Sequence, residues 1–193
     1  MTSRPILGLV LFAGIAAPAL ATPTTWTIDP NHSAAHFSVR HLMVSNVRGE
    51  FGGVHGTVAF DDADPSKGAI EATIDATTVN TRVEGRDKDL KGPSFFEVDK
   101  YPTITFQSTA VRAAGENRFT VDGELTIHGV TKPVTLQVEA TPPVKDAKGN
   151  ERRGAEATTK LSRKDFGVNG TPAMVGDEVQ ITIDLEAVHK AGS

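Results

Sequence analysis

The 193-residue sequence predicts a mostly-β domain, a single antiparallel barrel of about eight strands with one short helical insertion. Three observations carry this. Apolar side chains alternate with polar ones along most of the chain, the period of a strand with one buried face. Clusters of Gly, Pro, Asp and Asn separate the alternating runs, as turns between neighbouring antiparallel strands require. One stretch, Asn80–Pro102, abandons the alternation.

The chain opens on an element outside this pattern. Arg4 precedes an uncharged apolar run, Ile6–Ala21, that ends in Ala19-Leu20-Ala21. A basic start, an apolar centre and a small-x-small end mark a cleaved export signal, and the run falls short of the roughly 20 apolar residues of a membrane span. The expectation is a leader over 1–21 and an exported, periplasmic domain over 22–193 with no membrane span. Cleavage removes one of the 20 basic residues and none of the 24 acidic ones, so the remainder carries a formal charge of −5. That balance offers no electrostatic reason to bind nucleic acid or anionic lipid. The sequence has no Cys, which excludes thiol chemistry and Cys-ligated zinc.

The strands follow in order. Ala35, Phe37 and Val39 alternate with His36, Ser38 and Arg40; then come Val54-x-Gly56-x-Val58-x-Phe60, Ile70-x-Ala72-x-Ile74-x-Ala76, and Ile104-x-Phe106. Phe119, Val121, Gly123, Leu125 and Ile127 form the longest run, followed by Val134, Leu136 and Val138, and by Val179, Ile181, Ile183 and Leu185. Asp61–Gly68, His128–Pro133 and Pro142–Asn150 read as connections. In the insertion, Thr81 with Glu84 and Ser94 with Glu97 resemble capping boxes, so a helix is expected near 82–91 and a helical turn near 94–98. Phe37 and Val39 are assigned to the interior, although a one-residue slip would exchange the two faces. Gly56, Ala72, Ala76 and Gly123 lie on the apolar phase and would leave room among larger neighbours. The pattern alone leaves a filled core and an open tunnel as alternatives, since eight-stranded barrels form both.

Chemistry-bearing motifs are sparse. His32, His36 and His41 crowd one stretch, but the strand pattern sends His36 and His41 to opposite faces, and Arg40 beside His36 opposes a cation. No metal site is expected. Asp61-Asp62 lies in a turn sequence, and no nucleophile elbow, zincin or phosphate-loop motif is present. Neither a catalytic constellation nor a cofactor is expected, so the protein reads as a non-enzyme.

The strings "HSAAHFSVRHLMVSNVRGEFGGVHG", "RDKDLKGPSFFEVDKYPTITF", "GELTIHGVTKPVTL", "RKDFGV" and "GDEVQITIDLEA" together resemble the YceI-like family over nearly all of the chain beyond the leader. One departure is Asp89 in "RDKDL", where many relatives carry His, so no role of that His carries over. The resemblance implies a lipocalin-like barrel of eight strands that holds a long isoprenoid chain in a hydrophobic tunnel, for carriage, storage or stress-related handling. It implies a tunnel wall drawn from Phe37, Val39, Phe51, Phe60, Ile70, Ala72, Ile74 and Phe106, from Leu125, Ile127, Phe166, Ile181 and Ile183, and from Phe95 and Phe96 of the insertion. Arg40, His41, Arg82, Arg86 and Lys91 are the candidates to meet a polar head, with Arg86-Asp87 read in preference as an ion pair or cap that fixes the helix. Trp26 and Tyr101 read as packing residues. The alternatives are a structural or interaction barrel with a filled core, or a carrier of fatty acids or fatty amides; an edge strand or tunnel mouth is compatible with a homodimer.

Overall fold

The computed structural model describes residues 23–192; the leader expected over 1–21 lies outside the described residues. Within them the chain forms one 11-stranded sheet, with every pairing antiparallel. The strands are β1 (Thr24–Ile28), β2 (Ala34–His41), β3 (Ser45–Phe51), β4 (Val54–Phe60), β5 (Ala69–Asp75), β6 (Thr103–Gly115), β7 (Arg118–Ile127), β8 (Val130–Ala140), β9 (Val144–Lys145), β10 (Glu151–Ser162) and β11 (Val175–His189). One helix, α1 (Glu84–Lys91), stands between β5 and β6.

The sheet closes through β11. One edge of β11 pairs with β10 from Val188↔Arg152 to Val179↔Leu161 and beyond. The other edge is shared: β1 takes Ala187 and Val188, and β2 takes the stretch from Asp184 to Val175. β1 and β2 therefore run end to end as one interrupted strand. β3 and β4 pair with β2 and β1 respectively and do the same. Counted this way, eight strand positions close the barrel, as the alternation predicts.

The break between β3 and β4 is Gly52-Gly53, with Gly53 at φ +62°, a left-handed conformation that favours glycine. Beyond it β4 stays against β5, with Val54 opposite Ile74. β3 instead diverges and meets only a single bridge, Glu50 to Asn80, on that side among the described residues. Residues 76–102 fill the opening. Val79, Leu90, Phe95, Phe96 and Val98 pack with Phe51, Ile104 and Ile127 into one apolar cluster.

The insertion departs from its sequence reading in detail. α1 begins at Glu84 with Val83 in the capping position and no side-chain cap. Thr81 does not form the expected capping box. It is buried, its N–H and hydroxyl donate to Asp87, and Arg86 donates to its hydroxyl and carbonyl. Arg86 and Asp87 thus fix the start of the helix by clasping Thr81. The helical turn expected near 94–98 is a run of turns, with Phe95 and Glu97 both donating to the Gly92 carbonyl. Pro93 after Gly92 has no N–H to continue α1.

Two other expectations change. The connection read over His128–Pro133 is a two-residue turn, His128-Gly129, with φ +52° and +74°, the handedness that suits a tight hairpin. Thr131–Pro133 belong to β8. Pro133 faces Glu124 of β7 in a part of β8 that has no ladder with β10, whose pairing starts at Gln137, so its missing N–H disrupts nothing. β1, β3 and β10 are strands without a long run of large alternating apolar residues.

Candidate functional site

The inward faces of the strands meet in two apolar clusters and in the Phe60–Phe119 ring pair, but they do not fill the interior. They enclose a cavity of about 240 Å³ with an almost wholly apolar wall. One water needs about 10–15 Å³ of such space, and an apolar cavity gives it no partners. The accessibility of the wall agrees. Phe37, Phe60, Ile70, Ile74, Phe106, Phe119, Leu125, Ile181 and Ile183 all point inward, yet each keeps partial accessibility. In a filled core, side chains of this size at inward positions are buried completely. The orientation of β2 is the one assigned from sequence: the Phe37 and Val39 side chains line the cavity, whereas the His36 imidazole pairs with Glu50 and Asp184.

All fifteen tunnel-wall candidates of the sequence lie on this wall. Eight come from β2 to β6, Leu125, Ile127, Ile181 and Ile183 from β7 and β11, Phe166 from the turn after β10, and Phe95 and Phe96 from the insertion. Phe51 and Phe96 meet edge to face with centroids 5.2 Å apart, and Phe37 lies 5.6 Å from Phe51. The small residues behave differently from expectation. Ala72 lines the cavity, but Gly123 is covered: a Cβ there would fall 2.4 Å from the Phe106 ring. At Gly56 a Cβ would strike the Glu71 carbonyl at 2.0 Å, so this glycine serves the close approach of β5. Ala76 is buried in the packed cluster beside the insertion. The space comes instead from β10, whose inward residues Ala155, Ala157 and Thr159 are small.

Two arginines also face the wall, one at each end of β10. Arg163 is buried and donates to three backbone carbonyls, Gly176 at 2.9 Å, Val168 at 2.6 Å and Val175 at 2.9 Å. Burial pushes its guanidinium below the usual arginine value, opposed by the charge of Asp177. Arg153, at the opposite end, lies over the rings of Phe60 and Trp26, 5.1 Å and 5.9 Å from their centroids. Its Nε donates to the Thr141 carbonyl at 2.9 Å and its Nη2 to Asp62 at 2.6 Å. Neither arginine is a sequence candidate: Arg153 sits in "ERRGAEATTK", which carries no strand signature, and Arg163 opens "RKDFGV", where the sequence gives no direction for its side chain. Trp26, read as a packing residue, is buried on the same wall.

The five head-group candidates lie elsewhere. Arg40, Arg82 and Lys91 are exposed and His41 is half-exposed, Arg86 holds Thr81, and none of the five contributes to the cavity wall. Of the three clustered histidines, His32 joins Asp29 and Glu186 in a group with metal-ligand spacing. Arg152 occupies that group, bonded to Glu186 and to Asp29. The hydrogen bond from His32 holds the Asp29 carboxyl below its usual range, and Asp29 raises His32 in return. This is an ion-pair network on the outer face of the β10–β11 end.

A closed antiparallel barrel with a cavity of this kind defines a binding barrel of lipocalin-like architecture. A sequence profile of the YceI-like domain matches residues 26–187, and the chain belongs to the YceI-like family. A UPF0312 protein of Yersinia pestis (strain Pestoides F) is 35% identical over 190 residues, covering 97% of this chain and 98% of the relative. Among solved structures, BcnA of Burkholderia cenocepacia superposes with a TM-score of 0.73 at 26% identity, covering 82% of this chain and 98% of BcnA. A polyisoprenoid binding domain from Saccharophagus degradans superposes at 0.64 with 16% identity, covering 86% of this chain and 99% of that domain; at that identity the likeness speaks for the fold. No helix among the described residues is long and apolar enough to cross a membrane.

Proposed function

We propose that the protein is an exported, periplasmic carrier that holds a long-chain isoprenoid lipid, of polyprenyl or isoprenoid-quinone type, inside the barrel. The observation that carries this is the cavity of about 240 Å³ bounded by inward side chains that stay partly accessible. A branched apolar chain laid along that wall gains about 0.8 kcal/mol per buried methylene, which offsets the cost of association after a few isoprene units. The description of the Saccharophagus domain as polyisoprenoid binding supports the choice of chain. Phe37, Val39, Phe60, Ile70, Ile74, Phe106, Leu125, Ile181 and Ile183 would contact the tail, with Phe51, Phe95, Phe96, Ile127 and Phe166 toward the end covered by the insertion. Binding and release, with no chemical step and no further cofactor, is the activity this wall supports. The leader pattern over 1–21 supports export, and N-terminal sequencing of periplasmic protein should begin at or near Thr22.

Titration with a series of prenylated benzoquinones of increasing tail length tests the ligand. Affinity should rise with each added unit and then level off or fall once the tail outgrows the cavity. Equal affinity for short and long tails would overturn the reading, and tighter binding of straight-chain fatty acids or amides of matched length would replace the isoprenoid with a fatty chain.

A further inference from the structure

Arg153 is an unusual wall for an apolar cavity. Its side chain is only 12% exposed, and its Nη1 is buried with no acceptor among the described residues. Its other donors are assigned, Nε to the Thr141 carbonyl and Nη2 to Asp62. The Phe60 and Trp26 rings hold the guanidinium plane in place, so Nη1 cannot swing out to water without giving up those contacts. Ala140 and Ala155 lie on the same wall and take up little volume. A buried donor without an acceptor is costly, and native proteins keep one chiefly where a ligand or a function uses it.

We propose that Arg153 anchors the polar head of the bound lipid through Nη1, and that Asp62 makes the anchor selective for a neutral oxygen acceptor, a carbonyl, over an anion. This deepens the proposed function and rests on it. The selectivity follows from charge. Asp62 already matches the single positive charge of Arg153 at 2.6 Å. A phosphate or carboxylate head would bring a second negative charge to a guanidinium that Asp62 already neutralises, and like charges sharing one partner repel. A carbonyl accepts the same hydrogen bond without that penalty. The head then lies at the β1–β10 end, and the tail runs along the inward face of β10 toward Arg163. The basic residues at the insertion end play no part.

The test compares three probes of one tail length on the full mature chain: a prenylated benzoquinone, the polyprene hydrocarbon without oxygen, and the polyprenyl monophosphate. For the unaltered protein the quinone should bind roughly tenfold to a hundredfold more tightly than the hydrocarbon, the worth of a hydrogen bond to a charged donor, and more tightly than the phosphate. Arg153→Met should erase the advantage over the hydrocarbon while leaving hydrocarbon affinity intact. Asp62→Asn, a change at an exposed side chain, should turn the preference toward the phosphate. Equal binding of quinone and hydrocarbon by the unaltered protein would overturn the anchor while leaving the tail reading intact. Retention of the quinone advantage in Arg153→Met would do the same. An unchanged phosphate preference in Asp62→Asn would overturn the selectivity. Failure to bind either uncharged probe would overturn both this proposal and the function on which it rests.

Discussion

The two ends of β10 each turn an arginine toward the barrel interior, and the two are held in opposite ways. Arg163 spends its guanidinium on three backbone carbonyls of residues 168–176 and so ties Val168 to the start of β11 across one end. Arg153 makes one backbone bond and one exposed ion pair, and keeps Nη1 free of partners among the described residues. They stand ten residues apart, roughly 33 Å of extended strand, on one inward face whose intervening residues are the small Ala155, Ala157 and Thr159 and, next to Arg163, Leu161. The contrast separates a structural buried charge, whose donors are used by the fold, from one whose donor remains for something else.

The largest expected effect is at the saturated end. Arg163→Met strands three carbonyls, that of Val168 fully buried, and stability should fall by about 3–5 kcal/mol, read as a lower urea midpoint. A loss below about 1 kcal/mol would remove the contrast. Ala72→Phe comes next, between the two ends, where Ala72 pairs with Gly56 and Phe106. In an open cavity the ring displaces lipid with the fold intact; in a filled interior the same change overpacks at a cost of about 1–3 kcal/mol. Lipid content and thermal unfolding measured on one sample decide between them. Arg153→Met should shift stability by less than about 1 kcal/mol, because Asp62 and the Thr141 carbonyl can turn to solvent.

The smallest effect is at the acidic rim of the Arg153 end. Asp146 is lowered to about 2 by Asn150 first and then by backbone N–H groups and Arg152. A depressed carboxyl contributes stability above its unfolded value of 3.8 that is lost as pH falls toward 2. Asp146→Asn should therefore flatten the acid limb of the stability curve between those values. His32, raised by Asp29, has the opposite sign: its contribution is present below 6.5 and fades as pH rises through its folded value. A stability curve measured from pH 2 to 8 checks both, and an acid limb unchanged in Asp146→Asn would contradict the first.

How much of this the sequence reveals depends on side-chain size. β7 is legible because Phe119, Val121, Leu125 and Ile127 alternate with polar residues, and its wall positions follow from the period. β10 is not legible, since Ala155, Ala157 and Thr159 look no more apolar than their neighbours. Yet that lack of bulk opens the cavity, and Arg153 can be placed only once β10 is known to be a strand with residue 153 facing in. Gly56 and Gly123 misled for the converse reason. A small residue on the inward phase leaves space only if no neighbour fills it, and the Phe106 ring covers Gly123. The head-group candidates are basic residues of β2 and of the insertion, where charge is plentiful but lies off the cavity wall. Thr81 shows the same limit at short range: its capping pattern with Glu84 is present in sequence, and Asp87 and Arg86 take its hydrogen bonds instead.

The most direct measurement is mass spectrometry of an organic extract from the mature protein purified without detergent, quantified against protein concentration. The account predicts close to one long-chain isoprenoid lipid with a carbonyl-bearing head per chain, and a sharp fall in that yield for Ala72→Phe. An extract free of lipid, from protein that also takes up none when offered prenylated quinones, would contradict it.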